Sequence, residues 1–285
     1  MFDAAISGIP SGGAYALIGV TVVLLYRMTG TLNFAAAVTG AFGAFTVVAI
    51  NGAGVGLGVA VLVGMIVGGI VSGLLGVVAA FLFSDHDEIS RSVVTIAMAI
   101  GLFAVAFRIF GDQPRAFPPL FGGSNITVGG VVLPTSNLVS AALALGLAVG
   151  INAVLTRTRL GLKYQALSVR AATAEGLGVP VRGLLVGAWA FSGFVAAFAL
   201  TLAAPTRQAD MTSLGLLVIP AFAAALIGGF RSFTWIAVGG ITLGVFEALV
   251  IRVRPLATYR SALPFVVIVA LLLWTQRRAI WDEAR

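Results

Sequence analysis

The chain has 285 residues, 60% of them hydrophobic and only 9% charged, with a formal net charge of +7. A soluble domain carries about 25% charged residues, so this composition excludes an ordinary soluble protein and calls for a polytopic α-helical membrane protein. Cys is absent, which excludes disulfides, thiol chemistry and Cys-ligated metal.

An outer-membrane barrel would need short segments of alternating hydrophobicity, and this sequence has long apolar runs instead. No polar stretch is long enough for a nucleotide-binding or catalytic domain, so one transmembrane domain is expected over 1–285. The basic residues are spread over short loops, where they answer topology and membrane lipid headgroups; no nucleic acid partner is expected. Met1-Phe-Asp-Ala lacks a basic n-region and leads into a span-length run, so no cleavable signal peptide is expected.

Apolar segments are expected at about 5–26, 31–50, 55–83, 92–110, 136–155, 183–204, 214–230, 233–251 and 261–275. A span needs about 20 residues, so the seventh and ninth are short, while the long, Gly-rich third is tilted or carries a surface extension. The expected fold class is all-α: a transmembrane helical bundle with about 8–9 spans and an inverted repeat with short or broken helices. Lys and Arg set the orientation. With the N-terminus outside and the C-terminus inside, Arg27, Arg91, the run from Arg157 to Arg182, Arg231, Arg277, Arg278 and Arg285 are cytoplasmic. The external cluster Arg252, Arg254 and Arg260 runs against this bias. Either the last two segments are misplaced or these side chains bind something outside.

The second segment opens Thr31-Leu-Asn-Phe-Ala-Ala-Ala-Val-Thr-Gly40, with small and polar residues where Leu and Ile are expected. Small residues let helices approach closely in lipid. That packing role suits Gly64/Gly68, Gly69/Gly73 and Gly240/Gly244. Asn33 adds a polar group near a helix start. It either caps the helix after the Met28-Thr-Gly30 turn, or marks a discontinuous helix facing a translocation path. A counterpart is the Ala-rich segment Ser213–Gly229, interrupted by Pro220. Phe34–Gly40 and Phe222–Gly228 share a Phe-Ala-Ala-Ala start, and their segments run in opposite directions, as an inverted repeat requires. The expected path residues are Tyr15, Asn33, Phe34, Ala37, Gly40, Pro220 and Ala224. Substituting Ala37 or Gly40 with Leu is expected to block transport while leaving the protein assembled.

Gly111 to about 136 is the largest external loop. Its β-rich run around Gly129-Gly130 predicts a small hairpin. Glu247 is a carboxylate in an apolar segment, costing a few kcal/mol unless paired or wetted. Its options are a substrate amine, a proton relay, a bond to a neighbouring helix, or the interface near Arg252. Arg108 can snorkel. His86, the sole histidine, lies in a solvated loop without partners for a metal site or triad.

The cytoplasmic loop of about 157–182 has helix formers from Leu162 to Glu175, then Gly176, Gly178 and Pro180 as stop signals. This predicts a short amphipathic helix lying on the bilayer or docking a soluble partner. No Gly-x-x-x-x-Gly-Lys-Ser/Thr motif is present, so any ATP motor is another subunit.

Taken in order, Gly8-Ile-Pro-Ser-Gly-Gly-Ala-Tyr-Ala-Leu-Ile18, Asn33-Phe-Ala35, Arg157-Thr-Arg-Leu-Gly161, Gly176-Leu-Gly-Val179 and Ala225-Leu-Ile-Gly-Gly229 resemble one family. It is the membrane-spanning permease subunits of ABC importers for branched-chain amino acids, and this chain is similar to the shorter of the two paired permeases. The likeness covers most of the chain. Two departures stand out: the family usually continues His-Gly-Glu where this chain has Ala36-Ala37-Val38, and carries an acidic pair where it has Val169-Arg170.

The resemblance implies a non-enzymatic transport subunit in a bacterial cytoplasmic (inner) membrane. Its implied partners are a second permease subunit in a heterodimer, two cytoplasmic ATPases and an external substrate-binding protein. The residues themselves leave homodimer and heterodimer both open. This chain would bind no cofactor; ATP and Mg would sit on the ATPases. The ATPase-coupling residues would be Ser168, Arg170, Ala172, Glu175, Gly176 and Leu177. Amino acids lead as substrate, with urea, amides and small carboxylates as alternatives. A stand-alone secondary carrier or channel is the competing reading. An intramembrane enzyme lacks the Ser/His, paired-Asp or metal constellation it would need.

Overall fold

The computed structural model describes residues 2–82, 88–120, 125–128, 131–169, 171–206 and 209–283. His86, Arg170 and the Gly129-Gly130 turn lie outside them. Among the described residues, fourteen α-helices follow the chain. They are α1 (Phe2–Ser7), α2 (Ile9–Thr29), α3 (Ala36–Gly52), α4 (Leu57–Leu82), α5 (Glu88–Phe110), α6 (Thr135–Arg157), α7 (Arg159–Val169), α8 (Ala171–Gly176), α9 (Val181–Ala203), α10 (Met211–Gly215), α11 (Val218–Ile227), α12 (Phe233–Val250), α13 (Arg254–Ala257) and α14 (Leu263–Glu283).

Among the described residues, five helices are long and apolar enough to cross a membrane, or six if the bent pair of α6 and α7 is one span. Three shorter apolar stretches, Ala36–Gly52, Met211–Ile227 and Arg260–Gln276, account for the remaining expected segments. The last is not the end of its helix: α14 continues to Glu283, well past the expected boundary at 275. The expected hairpin is present. Strands β1 (Asn125–Val128) and β2 (Val131–Pro134) pair antiparallel, with Asn125 opposite Pro134 and Val128 opposite Val131.

Helix α2 is the axis of the molecule. Pro10 occupies its first turn, where a missing N–H costs nothing, and Gly30 ends it at φ 69° while donating to Tyr26 O. Its residues are hydrophobic on every side, and nearly all are buried from Pro10 to Leu25. Helices α4, α5 and α14 instead turn Leu62, Ile66, Ile70, Ile100, Val266 and Leu273 outward. Such faces suit lipid, where aliphatic surface needs no protein cover.

The packing repeats itself. Helix α4 lies on α9 as α12 lies on α2; α3 touches α9, α4 and α5 as α11 touches α2, α12 and α14. Small residues fix the directions. A Cβ on Gly12 would meet Ile241 Cα and Gly240 O at 2.7 and 2.8 Å, and Gly244 abuts Gly8 and Gly12, so α2 and α12 are antiparallel. Gly68 faces Gly193 and Ala197 while Gly76 faces Trp189, so α4 and α9 are antiparallel too. Gly40 and Gly43 meet Ala196 and Ala197, which makes α3 parallel to α9. Since α3 follows α2 around a turn, α2 and α9 run in opposite senses. The two sets are therefore inverted with respect to each other, as an inverted repeat demands. The expected packing pairs Gly64/Gly68, Gly69/Gly73 and Gly240/Gly244 all lie at these crossings.

Candidate translocation site at two broken helices

Both small-residue segments are interrupted, each in its own way. After Gly30 the chain runs non-helically to Ala35 before α3 begins. Its backbone is held by side chains of α5. Leu32 N–H donates to Ser92 Oγ (3.2 Å) and Phe34 N–H to Thr95 Oγ1 (3.1 Å), while Thr95 Oγ1 donates to Leu32 O (2.8 Å). Ser92 and Thr95 were missed from the sequence. Their signal was two hydroxyls three apart on a helix of apolar neighbours. In the other segment the break falls at Leu216–Leu217, between α10 and α11, not at Pro220 as expected. Pro220 is the third residue of α11, where its absent N–H would have had no helical acceptor. The preceding break is closed by short-span bonds from Leu217 N–H to Leu214 O and from Ile219 N–H to Leu216 O.

The two broken segments meet. The Phe34 and Phe222 rings pack at 4.8 Å between centroids, tilted by 58°. Phe222 lies about 9 Å along α11 from the Gly228 turn, at roughly 1.5 Å per residue, so the contact is recessed from that end of the bundle. Asn33 is 1% exposed. Its Oδ1 accepts from Ala35 N–H at 3.0 Å, and its Nδ2 is buried without a partner. Asn33 therefore holds the turn into α3 but does not cap the helix, whose N-cap is Ala35 with no side-chain bond.

Ala37, Pro220 and Ala224 are buried, as is Gly40. Gly40 is a packing position, because a Cβ there would sit 2.7 Å from the backbone carbon and from the Cβ of Ala196. A Leu at Gly40 would force α3 off α9, so the expectation that this variant leaves the protein assembled is corrected. Tyr15 and Glu247 lie nearer the other end, on the α2–α12 seam. Tyr15 Oη donates to Glu247 Oε2 at 2.6 Å, and the carboxylate is half-buried. Of the roles open to Glu247, the geometry provides the bond to a neighbouring helix.

At the Phe34 end, α2 ends beside the α11–α12 turn. Arg27 Nη1 reaches Arg231 O at 3.5 Å and its guanidinium lies 5.2 Å from the Phe233 ring centroid. Phe230 takes a left-handed φ of 54° in that turn, and its ring packs on Tyr26 at 4.9 Å. The chain leaves α6 here with an 85° bend into α7. Gly161 permits the bend, because a Cβ there would strike the carbonyls of Val154 and Leu155.

The single helix expected from Leu162 to Glu175 is two helices: α7, which contains Ser168, and α8, which contains Ala172, Glu175 and Gly176. Tyr164 is half-buried on α7, and burial pushes its phenol pKa up. Beyond α8, Gly178 turns the chain at φ 79°, and Leu177 stands 77% exposed at the tip. Glu175 and Gly176 are exposed beside it. Among the described residues, no group of three or more His, Asp or Glu could hold a metal.

A multi-pass bundle with broken helices in opposed copies is the architecture of a membrane transport protein. The family model for branched-chain amino acid transport system permease components matches residues 5–272, and the chain belongs to that family. It is 24% identical to the high-affinity branched-chain amino acid transport system permease protein BraD of Pseudomonas aeruginosa over 94% of this chain and 92% of that one. It is 26% identical to the probable branched-chain amino acid transport permease protein LivH of Methanocaldococcus jannaschii, over 70% of this chain and 58% of that protein. Among solved structures, a chain of PsaBC from Streptococcus pneumoniae in complex with Fab aligns with a TM-score of 0.48 and 14% identity, covering 95% of this chain and 89% of that one.

Proposed function

We propose that this permease forms half of the translocation path of an ABC importer for a small polar solute, with branched-chain or other amino acids as the leading class. The meeting of Phe34 with Phe222, where two broken helices converge in a family-assigned permease, is the observation that carries this reading. Asn33, Phe34, Ala37, Pro220 and Ala224 border the path, and Tyr15 holds its wall through Glu247. In alternating access the Phe34–Phe222 contact parts and re-forms as the ATPases close and reset.

The end bearing Arg27, Arg91, Arg157, Arg159, Lys163, Arg182 and Arg231 faces the cytoplasm, as the excess of basic side chains favours. The N-terminus is then outside and the C-terminus inside a bacterial cytoplasmic membrane. There the α7–α8 tip meets a cytoplasmic ATPase, with Leu177 as its apolar contact and Glu175 and Gly176 exposed beside it; the sequence adds Ser168, Arg170 and Ala172 to the coupling set. The full importer has a second permease, two ATPases carrying ATP and Mg, and an external binding protein.

The test is purification of the tagged chain from its native membrane with mass spectrometry of what accompanies it. A second permease and two ATPases are expected. Recovery of this chain alone, in mild and stringent detergents alike, together with solute uptake in liposomes without ATP, would mean a stand-alone carrier.

A further inference from the structure

The start of α3 gathers hydrogen-bond donors that the other described residues leave poorly satisfied. The N–H groups of Ala36, Ala37 and Val38 precede the first intrahelical bond; the turn over Phe34–Ala35 gives one of them a weak acceptor in Asn33 O, and among the described residues none has a bond of good geometry. No side chain caps the helix. These three residues are buried. Asn33 adds a further donor. Because its Oδ1 is committed to Ala35 N–H, its carboxamide is fixed at this same turn, and the remaining Nδ2 is buried without an acceptor. A flipped amide would set two donors against each other, so the orientation is settled by the bond itself. Arg91 stands one turn before Thr95 on α5, on the face that holds Leu32 and Phe34, and its Nε is also buried without a partner.

Buried polar groups are normally paired, and leaving one unpaired is costly. The unpartnered side-chain groups at this turn, Asn33 Nδ2 and Arg91 Nε, are both donors, and the positive end of a seventeen-residue helix lies beside them. Water or a neutral carbonyl oxygen satisfies one such donor at a time, whereas an acceptor-rich anion takes several and also answers the positive end of the helix. A carboxylate has the acceptor capacity to take several of these donors at once.

We propose that the N-terminus of α3, with Asn33 Nδ2, is a binding site for the carboxylate of the transported solute. This rests on the transport reading above and narrows it. The solute class is one bearing a free carboxylate, which sets urea and amides aside. The Phe34–Phe222 contact lies next to the site, where an apolar side chain of the solute would rest.

The test uses the complete purified complex. Its thermal midpoint is followed while titrating isovalerate, which carries a branched chain and a carboxylate, or isoamylammonium, which carries the same chain and a cation. A saturable rise with isovalerate alone is expected. Equal responses to both, or no response to either, would overturn the site, including the case where a side-chain carboxylate of a partner subunit already fills it. Asn33→Asp keeps the oxygen that accepts from Ala35 and turns the donor into a repelling acceptor. It should abolish the isovalerate shift and lower ATP-driven L-leucine uptake in proteoliposomes by about tenfold or more, the scale of a lost bond to a charged group. Wild-type behaviour of N33D in both assays would also overturn the site. If N33D fails to assemble, the comparison of the two titrants on the wild type decides alone. An isovalerate shift without any ATP-driven uptake would keep the site and remove the importer reading.

Discussion

Tyr15 donates its phenolic proton to Glu247 across 2.6 Å, joining the central helix to α12 at the level where their glycines interlock. The bond gives a half-buried carboxylate in an apolar seam a donor from the neighbouring helix, across a crossing whose close approach the glycines permit.

Tyr15→Phe is expected to lower stability by about 1–3 kcal/mol, because the partly buried carboxylate loses a donor. Glu247→Gln keeps an acceptor oxygen and should cost less than about 1 kcal/mol. Denaturant or thermal unfolding of the purified complex measures both. A Y15F protein as stable as wild type would show that the bond is not what seats Glu247.

The α2–α12 seam should be intolerant of a single methyl. Gly244→Ala puts a Cβ onto the Gly12 backbone, and overpacking of this kind costs about 1–3 kcal/mol or more. Gly101→Ala is the contrast, because a Cβ there meets nothing within 4 Å on an exposed helix face. It should stabilise by about 0.5–1 kcal/mol. Opposite shifts in midpoint for the two variants are the expected result.

Phe34→Ala and Phe222→Ala should be non-additive. Tilted aromatic pairs contribute about 0.5–1.5 kcal/mol beyond the area they bury, so a double-mutant cycle on stability should return a coupling of that size. If the contact also closes the path, each single variant will raise ATP-independent solute leak in proteoliposomes. Tight proteoliposomes with both variants would limit the pair to packing.

Leu177→Glu should leave stability within about 0.5 kcal/mol, since the side chain is almost free of the fold. Retention of the ATPases through purification should fall sharply, and ATP-driven uptake with it. Full retention and full uptake would move the coupling contact elsewhere on α7 and α8.

Much of the bundle was legible because the bilayer imposes a long, local pattern. A span must be apolar over about 20 residues and its helix satisfies its own backbone, so the nine segments, the Gly129-Gly130 hairpin and the glycine pairs could be read without contacts. The candidate site was legible only in part. Asn33 and the shared Phe-Ala-Ala-Ala start drew attention to the two segments that meet at Phe34 and Phe222. Nothing local told Gly40, which packs against Ala196, from Ala37 beside the turn. Pro220 signalled an interruption but not its place, because a first-turn Pro belongs to the helix it begins.

The sequence by itself determined that this is a helical membrane protein, where its apolar segments run and which of its segments are too small and polar to be ordinary spans. Those are properties of residue type and spacing, which the hydrocarbon core reads one segment at a time. Only the tertiary structure decided that Tyr15 meets Glu247, that Phe34 meets Phe222, that Ser92 and Thr95 hold the chain before α3, and that Asn33 keeps an unsatisfied donor. Each joins residues far apart in the chain or depends on how neighbouring helices close around a turn. In lipid, where apolar surface gives no drive toward a particular neighbour, close packing and hydrogen bonding make that choice.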